Sequence, residues 1–259
     1  MTIRHDKIDE LFRLEERCLN AWPGLHTVLH EGWQLRFSGG YTKRANSVIP
    51  YLCANEQNRL AERIDYCESA YAAAGLAPVF KLVSFAEPEW LDRELEKRGY
   101  GIVEPSGVWT VGLANIAPPE TDSAAFFPSA SGEWLDAFAA LSGLDESALR
   151  IAVRLLSGPC LHRGFFLIRE QKVPVACGVG IIERGDVGLY DIVTHRDYRN
   201  RGYGGQLMMR ILNWAKQNGA TRGYLMVVQN NAPAVHLYRK LGFREAYAYW
   251  YRRKAFARF

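Results

Sequence analysis

The chain has 259 residues, of which 48% are hydrophobic and 23% are charged, a balance typical of a folded globular protein. This composition excludes a disordered or fibrous protein, and the 32 basic and 28 acidic residues form no long basic run of the kind that binds nucleic acid or membranes. The length favours two modest domains over one.

Cysteine use and hydropathy predict the compartment. The five cysteines, at positions 18, 53, 67, 160 and 177, form no CxxC pair, and their odd number argues against a complete disulfide framework. The first ten residues are polar, and no run of about 18 apolar residues follows. We therefore expect a cytoplasmic protein with reduced core thiols and without a signal peptide or membrane span.

Helical and strand patterns alternate in the first half of the chain. Apolar residues at helical spacing predict helices over residues 6–19, 55–74 and 87–98. Strand patterns occur at residues 28–30 and 33–37, which should form a hairpin, and at 78–84 and 108–113.

A proline-rich segment separates the two halves. Residues 114–131 contain three prolines and several small polar residues, which is the composition of a connector. We therefore predict an N-terminal domain over residues 1–115 and a C-terminal domain over residues 125–259.

The second half begins with helical patterns and then changes to strands. Two predicted helices, residues 132–141 and 146–156, precede an antiparallel meander of strands at 164–169, 173–183 and 187–194. The remaining elements alternate: a helix at 204–218, a strand at 223–228, a helix at 232–241 and a strand at 244–251. The order predicts an α/β protein of the α+β type, with a mixed, largely antiparallel central sheet flanked by helices.

A loop rich in arginine and glycine follows the strand that ends at Thr194. Residues 199–205 are Arg-Asn-Arg-Gly-Tyr-Gly-Gly and lead directly into a predicted helix. Glycines let a backbone approach a phosphate closely, and the unpaired N–H groups of a first helical turn point at it. The alternative is a tight turn without a ligand. The spacing Arg-x-x-Gly-x-Gly differs from both the dinucleotide-binding and the P-loop pattern.

A second motif supports a ligand-binding interpretation of this loop. Asn231, Ala234, Tyr238 and the pair Gly242-Phe243 follow in that order. Together the two segments resemble the two signatures of the GNAT superfamily of acyl-CoA-dependent N-acyltransferases, and the resemblance covers roughly residues 164–252. It implies a GNAT-like fold and the transfer of an acetyl group from acetyl-CoA to a primary amine, without a metal.

The resemblance also implies which residues contact coenzyme A. They come from the strand before the loop, from the loop and from the second motif: Ile192, Val193, Thr194, Arg199, Asn200, Arg201, Gly202, Tyr203, Gly204, Gly205, Asn231, Ala234 and Tyr238. In the family, backbone amides of the strand stabilise the developing oxyanion. Independently of any ligand, Asn231 is well placed to cap the following helix.

Two catalytic roles follow from the same resemblance. Tyr238 holds the position of the phenol that protonates the leaving thiolate, although a tyrosine on a short helix can also be a core aromatic. The candidate bases for the attacking amine are Asp191, Glu183 and His195. Asp191 is preferred because it lies on the strand that should border the acyl group; the alternatives are that it only orients the substrate or that water carries the proton.

The first half resembles a partial GNAT domain without cofactor chemistry. Aligning Gly99-Tyr100 with Gly242-Phe243 places Leu95 opposite Tyr238, and the first half lacks an Arg-x-x-Gly-x-Gly loop. We interpret the chain as a tandem form whose smaller, related N-terminal α/β domain supplies structure or a wall of the acceptor pocket. Coincidental similarity is the alternative.

One polar segment of the first half is a candidate acceptor site. Residues 41–47 contain Arg44 and Asn46, which we assign to substrate binding; a solvated loop is the alternative interpretation.

The leading hypothesis is an N-acetyltransferase, either monomer or homodimer, that binds acetyl-CoA and an amine acceptor together, and no nucleic acid or membrane. Two rival hypotheses remain: a non-catalytic acyl-CoA-binding sensor or scaffold, and a basic nucleic-acid-binding module.

Overall fold

The computed structural model describes residues 2–50, 59–86, 89–119, 124–158 and 160–254. The helices in these ranges are α1 (Thr2–Ala21), α2 (Leu60–Ala73), α3 (Glu89–Lys97), α4 (Gly132–Ser142), α5 (Glu146–Leu156), α6 (Tyr203–Gln217) and α7 (Ala232–Lys240). The strands are β1 (His26–His30), β2 (Trp33–Phe37), β3 (Val48–Ile49), β4 (Val79–Val83), β5 (Gly101–Gly112), β6 (Ala124–Phe127), β7 (His162–Glu170), β8 (Val173–Glu183), β9 (Asp186–Thr194), β10 (Arg222–Val228) and β11 (Arg244–Arg253).

All described strands belong to one sheet. Their order is β1-β2-β3-β4-β11-β5-β10-β9-β8-β7-β6, and only the pairs β3 with β4 and β9 with β10 are parallel. Helices pack against this sheet, so the predicted α/β class with a largely antiparallel central sheet is confirmed.

Most predicted elements occur within a few residues of their predicted bounds, and three strands differ from the prediction. The short β3 (Val48–Ile49) was not predicted. β5 begins at Gly101, well before the predicted residue 108. The prediction missed this start because the first residues of the strand are mostly exposed and lack an apolar pattern. β6 lies inside the segment predicted to be a connector, where it pairs antiparallel with β7. Parts of two predicted helices, residues 55–58 and 87–88, lie outside the described residues.

The last described strand lies among the strands of the first half. β11 pairs antiparallel with β4 on one side and with β5 on the other, and β5 in turn pairs with β10. Strands from the predicted domains 1–115 and 125–259 therefore share one hydrogen-bonded sheet. The division into two domains stays a prediction about sequence units.

The expected cysteine environment is found in three of the four described cysteines. Cys18, Cys67 and Cys177 are buried free thiols, whereas Cys160 is exposed, so the expectation of a core thiol is wrong at that position. Cys53 lies outside the described residues. No helix in the described ranges combines the length and the apolar composition needed to cross a membrane.

The parallel pairing of β9 with β10 is short. It joins Asp186–Gly188 to Arg222–Tyr224 and ends there. On one face the rings of Tyr190 and Tyr224 meet beside Gly188, with their hydroxyl oxygens 3.1 Å apart. The missing side chain at position 188 gives these two buried rings their space.

We expect Gly188→Ala to destabilise the protein. An added Cβ would lie 2.4 Å from Tyr190 Cε2 and 2.6 Å from the Tyr224 hydroxyl, so a buried ring must move. The free energy of unfolding, measured by urea denaturation, should fall by about 1–3 kcal/mol. Gly112→Ala is the matched control, because a Cβ there meets no atom within 4 Å. Equal losses in the two variants would contradict the packing argument.

Candidate active site

A cleft of about 430 Å³ opens where β9 and β10 cease to pair. Its walls come from β9, β10, β5, β11 and α7, together with the loop at residues 42–44. The cleft therefore combines strands from both halves of the chain. Among the predicted site residues it contains Arg44, Asp191, Ile192 and Tyr238.

A β-bulge in β9 shapes one wall of the cleft. Cys177 pairs with Val193 but Val179 pairs with Tyr190, so β9 has one extra residue here. Asp191, within the bulge, has a φ of 51°, a left-handed conformation that few non-glycine residues adopt. Opposite it, a Cβ on Gly178 would lie 2.5 Å from Ile192 Cδ1, so glycine on β8 admits the bulge.

Beyond the bulge, one edge of β9 carries backbone amides that face the gap. The amide of His195 donates to the carbonyl of Val175 on β8 at 2.8 Å. Because N–H directions alternate along a strand, the amides of Ile192 and Thr194 face the open edge. The amide of Val193, whose residue pairs with Cys177, faces β8.

The glycine-rich loop leads into a helix start whose first amides are unpaired. Gly202 caps α6 with a φ of 86°, and the preceding Asn200 is also left-handed, with a φ of 61°. The first helical bond runs from the Gln206 amide to the Gly202 carbonyl at 3.0 Å. The amides of residues 203–205 precede it, and Gly202 has no side chain to cap them. These amides are therefore available to an anion.

Helix α7 packs against this loop. A Cβ on Gly204 or Gly205 would lie 3.5 Å from a methyl group of Leu237, which is ordinary van der Waals contact. The Asn231 side-chain oxygen accepts a hydrogen bond from the Ala234 amide at 3.3 Å, so the predicted helix cap is confirmed. The two motifs predicted from sequence are thus neighbours in the fold.

The remaining loop residues surround the helix start. The Arg199 Nε donates to the Thr194 carbonyl at 3.4 Å, and the Arg201 guanidinium lies 4.9 Å from the centre of the Tyr198 ring. Both arginines are exposed, so they add positive charge at the rim. The Tyr203 hydroxyl donates to Glu170 at the end of β7.

Tyr238 and Asp191 line the same cleft from opposite elements. Tyr238 projects from α7, is half-buried, and its pKa is raised by that burial. The Asp191 side chain is only 9% exposed, and its Oδ1 lies 3.7 Å from Nη2 of Arg44. Burial raises the pKa of Asp191 above its ordinary value, to about 6, although Arg44 acts to lower it. A carboxyl group with this pKa can accept a proton near neutral pH.

The other two candidate bases lie elsewhere. The backbone of Glu183 pairs with that of Asp186 at the β8–β9 turn, and its carboxylate accepts hydrogen bonds from the Asn20 side chain. His195 accepts a bond from the Asp197 amide and caps a short 3-10 turn. Neither residue lines the cleft.

The two candidate acceptor residues have different positions. Arg44 lines the cleft, whereas Asn46 is buried outside it. The Asn46 side-chain oxygen accepts from the amides of Ser38 and Gly40, and its nitrogen donates to the carbonyls of residues 41 and 42. Asn46 therefore fixes the loop that carries Arg44, and its assignment to substrate binding stays a prediction.

Sequence reasoning did not find the part of the cleft that β5 and β11 supply. Glu104 and Ser106 of β5, with Tyr249 and Tyr251 of β11, complete its wall. No sequence motif marks these residues, since they reach the site only through the position of β11 between β4 and β5. In the described ranges no cluster of three or more His, Cys, Asp or Glu side chains is arranged to hold a metal ion.

Comparison with known proteins identifies the family. The model of the Acetyltransferase (GNAT) family matches residues 132–243, and that of the C-terminal part of Rv0428c, a probable histone acetyltransferase, matches residues 9–94. Over 253 residues the chain is 30% identical to the uncharacterised N-acetyltransferase YobR of Bacillus subtilis, covering 95% of this chain and 100% of YobR. The chain belongs to the GNAT acetyltransferase family.

Solved structures of GNAT proteins share the fold over nearly the whole chain. A GCN5-related N-acetyltransferase from Kribbella flavida superposes with a TM-score of 0.72 at 19% identity, covering 95% of this chain and 96% of that one. A tandem GNAT protein from the clavulanic acid biosynthesis pathway gives a TM-score of 0.54 at 12% identity, covering 79% and 73%. The GNAT fold therefore includes the first half of the chain.

We expect Asp191→Asn to change the pH dependence of stability. Because the folded state raises the Asp191 pKa, ionisation of this group lowers stability progressively as the pH rises from about 4 to about 6. The free energy of unfolding of the variant minus that of the original protein should be about 2 kcal/mol larger at pH 7.5 than at pH 4, measured by urea denaturation. Any effect of leaving Arg44 unpaired cancels in this comparison.

Asp145→Asn is the control for this pH measurement. Asp145 caps α5, and its pKa is lowered, chiefly by a hydrogen bond from the Ala148 amide. Its stability contribution is therefore lost only as the pH falls below the ordinary range of a carboxyl group. A change with pH that is equal in the two variants would contradict the assignment to Asp191.

Proposed function

We propose that this protein transfers an acetyl group from acetyl-CoA to a primary amine by direct attack, with both substrates bound together. The observation that carries the proposal is that two titratable groups line one cleft at the open edge of β9, and that α7, which carries one of them, also packs against the helix start with unpaired amides. Tyr238 and Asp191 face that cleft from α7 and β9.

The residues present fit coenzyme A. The unpaired first-turn amides of α6, residues 203–205, suit its pyrophosphate, with Arg199 and Arg201 adding charge at the rim. Asn200 and Gly202 supply the left-handed turn that exposes these amides. Ala234 and Asn231 begin the neighbouring helix α7, against which the remainder of the cofactor can lie. Coenzyme A supplies the activated acetyl group as a thioester.

The open edge of β9 can receive that thioester. The amides of Ile192 and Thr194 point into the gap, where they can donate to the thioester carbonyl, and Val193 holds the strand to β8. Donors fixed in this way stabilise the negative charge that develops on the oxygen during attack. Asp191 lies within the bulge and directly precedes Ile192, so its carboxylate is close to these donors.

The chemistry then requires one bond to form and one to break. The amine nitrogen bonds to the acetyl carbon, and the carbon–sulfur bond breaks. Asp191 accepts the proton that the nitrogen loses, and Tyr238 donates a proton to the leaving sulfur. The products are an N-acetyl amide and free coenzyme A.

Direct attack is supported by the absence of a cysteine from the described lining of the cleft. Cys177, which pairs with Val193 of β9, is buried on β8, and burial raises its pKa, which disfavours a thiolate nucleophile. A sensor that binds acetyl-CoA without turnover would release no thiol. Thiol release with acetyl-CoA and a panel of primary amines therefore tests the proposal against that alternative.

We expect Tyr238→Phe to reduce turnover. The change removes one hydroxyl and little volume, so loss of the general acid should lower kcat by about 10²- to 10⁴-fold. The Kd for acetyl-CoA, measured by calorimetry, should change little. The control is Tyr66→Phe on the exposed face of α2, which should retain full activity. An unchanged kcat in Tyr238→Phe would reject the role.

We expect Gly202→Ala to weaken binding of acetyl-CoA. The φ of 86° at position 202 is unfavourable for any residue with a Cβ, so the turn that exposes the first-turn amides should relax. We expect the Kd for acetyl-CoA to rise by about tenfold, which corresponds to a loss of about 1.4 kcal/mol in binding free energy.

Gly75→Ala is the matched control for the loop. Gly75 ends α2 with a φ of 68°, and a Cβ there meets no atom within 4 Å. This variant should lose similar stability through the same backbone strain while its Kd for acetyl-CoA stays unchanged. A parallel change of Kd in both variants would mean that the loop is not the cofactor site.

A further inference from the structure

Backbone strain is concentrated around the cleft. Eight non-glycine residues in the described ranges have positive φ values, and four of these lie in hairpin turns, where such values are common. Asn200 lies in the anion-binding loop, and the other three, Thr42, Glu104 and Asp191, all line the cleft. Such conformations persist only where the surrounding structure enforces them, and they cluster at functional sites.

The loop that presents Arg44 is held rigidly. Besides the four hydrogen bonds of Asn46, the Thr42 hydroxyl accepts a bond from Nε1 of Trp22 at 3.1 Å. Lys43 pairs with Glu104 of β5 at 2.7 Å, so the loop is also tied to the opposite wall. A solvated surface loop does not need these constraints.

Arg44 is positioned as an anion-binding group. Its guanidinium lies 4.9 Å from the centre of the Trp22 ring and 5.7 Å from that of Tyr190, and its side chain remains 28% exposed. Its contact with Asp191, at 3.7 Å, is longer than a hydrogen bond. Among the described residues the guanidinium has no shorter polar contact, so its N–H groups can serve a ligand.

Two buried polar atoms of the cleft residues lack partners as well. Oδ2 of Asp191 and the hydroxyl of Tyr251 make no hydrogen bond within the described part of the chain. Buried polar groups are seldom left unpaired, because the loss of their hydration is then uncompensated. An acceptor, a donor and a cation are thus grouped in one place, and together they suit a ligand that carries both signs of charge.

We propose that the acceptor is a primary amine that carries an anionic group one or two carbons away, of which an α-amino acid is the simplest example. This inference rests on the proposed function. Asp191 receives the amine, and Arg44 binds the anion. In an α-amino acid one carbon separates the amine from the carboxylate, which matches the 3.7 Å between the two side chains. A polyamine fits poorly, since its second cation would face Arg44 and Lys43.

The test compares acids with their amides. Thiol release from acetyl-CoA is measured with each of the twenty proteinogenic L-amino acids and with the corresponding amino acid amides, and with O-phosphoethanolamine against ethanolamine. At least one anionic amine should exceed its neutral counterpart in kcat/KM by about tenfold or more. The phosphate pair distinguishes the two sources of negative charge. The α-amine of an amino acid amide is less basic than that of the free amino acid, so more of it is unprotonated and able to attack near neutral pH. A faster reaction of the free amino acid must therefore come from the protein.

Variants test whether Arg44 causes the preference for anionic amines. In Arg44→Gln the KM of the preferred anionic amine should rise by about tenfold or more while that of its neutral counterpart changes little. Arg184→Gln, with the same loss of charge on an exposed hairpin turn, should leave both values unchanged. Calorimetry of the preferred amine on the protein saturated with coenzyme A should show the same loss of affinity in Arg44→Gln without any turnover.

Three results would overturn the inference: neutral amines matching the anionic ones in the original protein, a preference that survives in Arg44→Gln, or neither rate nor heat with any anionic amine. In each case, binding of acetyl-CoA and thiol release with other amines would leave the proposed function intact. Failure of acetyl-CoA to bind would instead reject the proposed function itself.

Discussion

The end of the pairing between β9 and β10 is the constraint on which the site depends. After three residue pairs the strands part, and the backbone groups of β9 beyond Gly188 lose one neighbour in the middle of an eleven-stranded sheet. Backbone amides at such a position need hydrogen-bond partners from somewhere else. The proposed function has a ligand in the gap that satisfies them, so the interruption of the sheet and the proposed binding site are one feature.

The residues around this gap are held in unfavourable states that the rest of the fold stabilises. Asp191 combines a left-handed backbone with a carboxylate that burial disfavours, and Thr42 holds a conformation rare for a β-branched residue. Substitutions that relieve the conditions at Asp191 should stabilise the molecule while removing a group that the proposed chemistry uses. Large buried aromatic side chains such as Trp22 and Tyr190 surround the strained residues and supply the packing that offsets this cost.

The sequence predicted those parts of the structure that depend on local patterns. The helices and the meander follow from periodicity, and the two motifs identified the loop before α6 and the cap at Asn231. Strand β6 was missed because prolines and small polar residues surround it. The wall that contains Glu104 and Tyr251 was missed for a different reason: β5 and β11 meet through pairing between residues more than 130 positions apart in the chain, which no local pattern records.

The same pairing decides how the two halves contribute to function. β11 belongs to the second half of the chain, yet both strands beside it, β4 and β5, belong to the first. The second half alone would leave β11 without either neighbour and β10 without β5, exposing unpaired strand edges on both sides of the cleft. The groups proposed to face the cofactor lie on α6, α7 and β9, whereas Arg44 and Glu104 lie on elements of the first half. The proposed acceptor recognition therefore uses the first half as a structural component of the site, even though that half has no cofactor motif of its own.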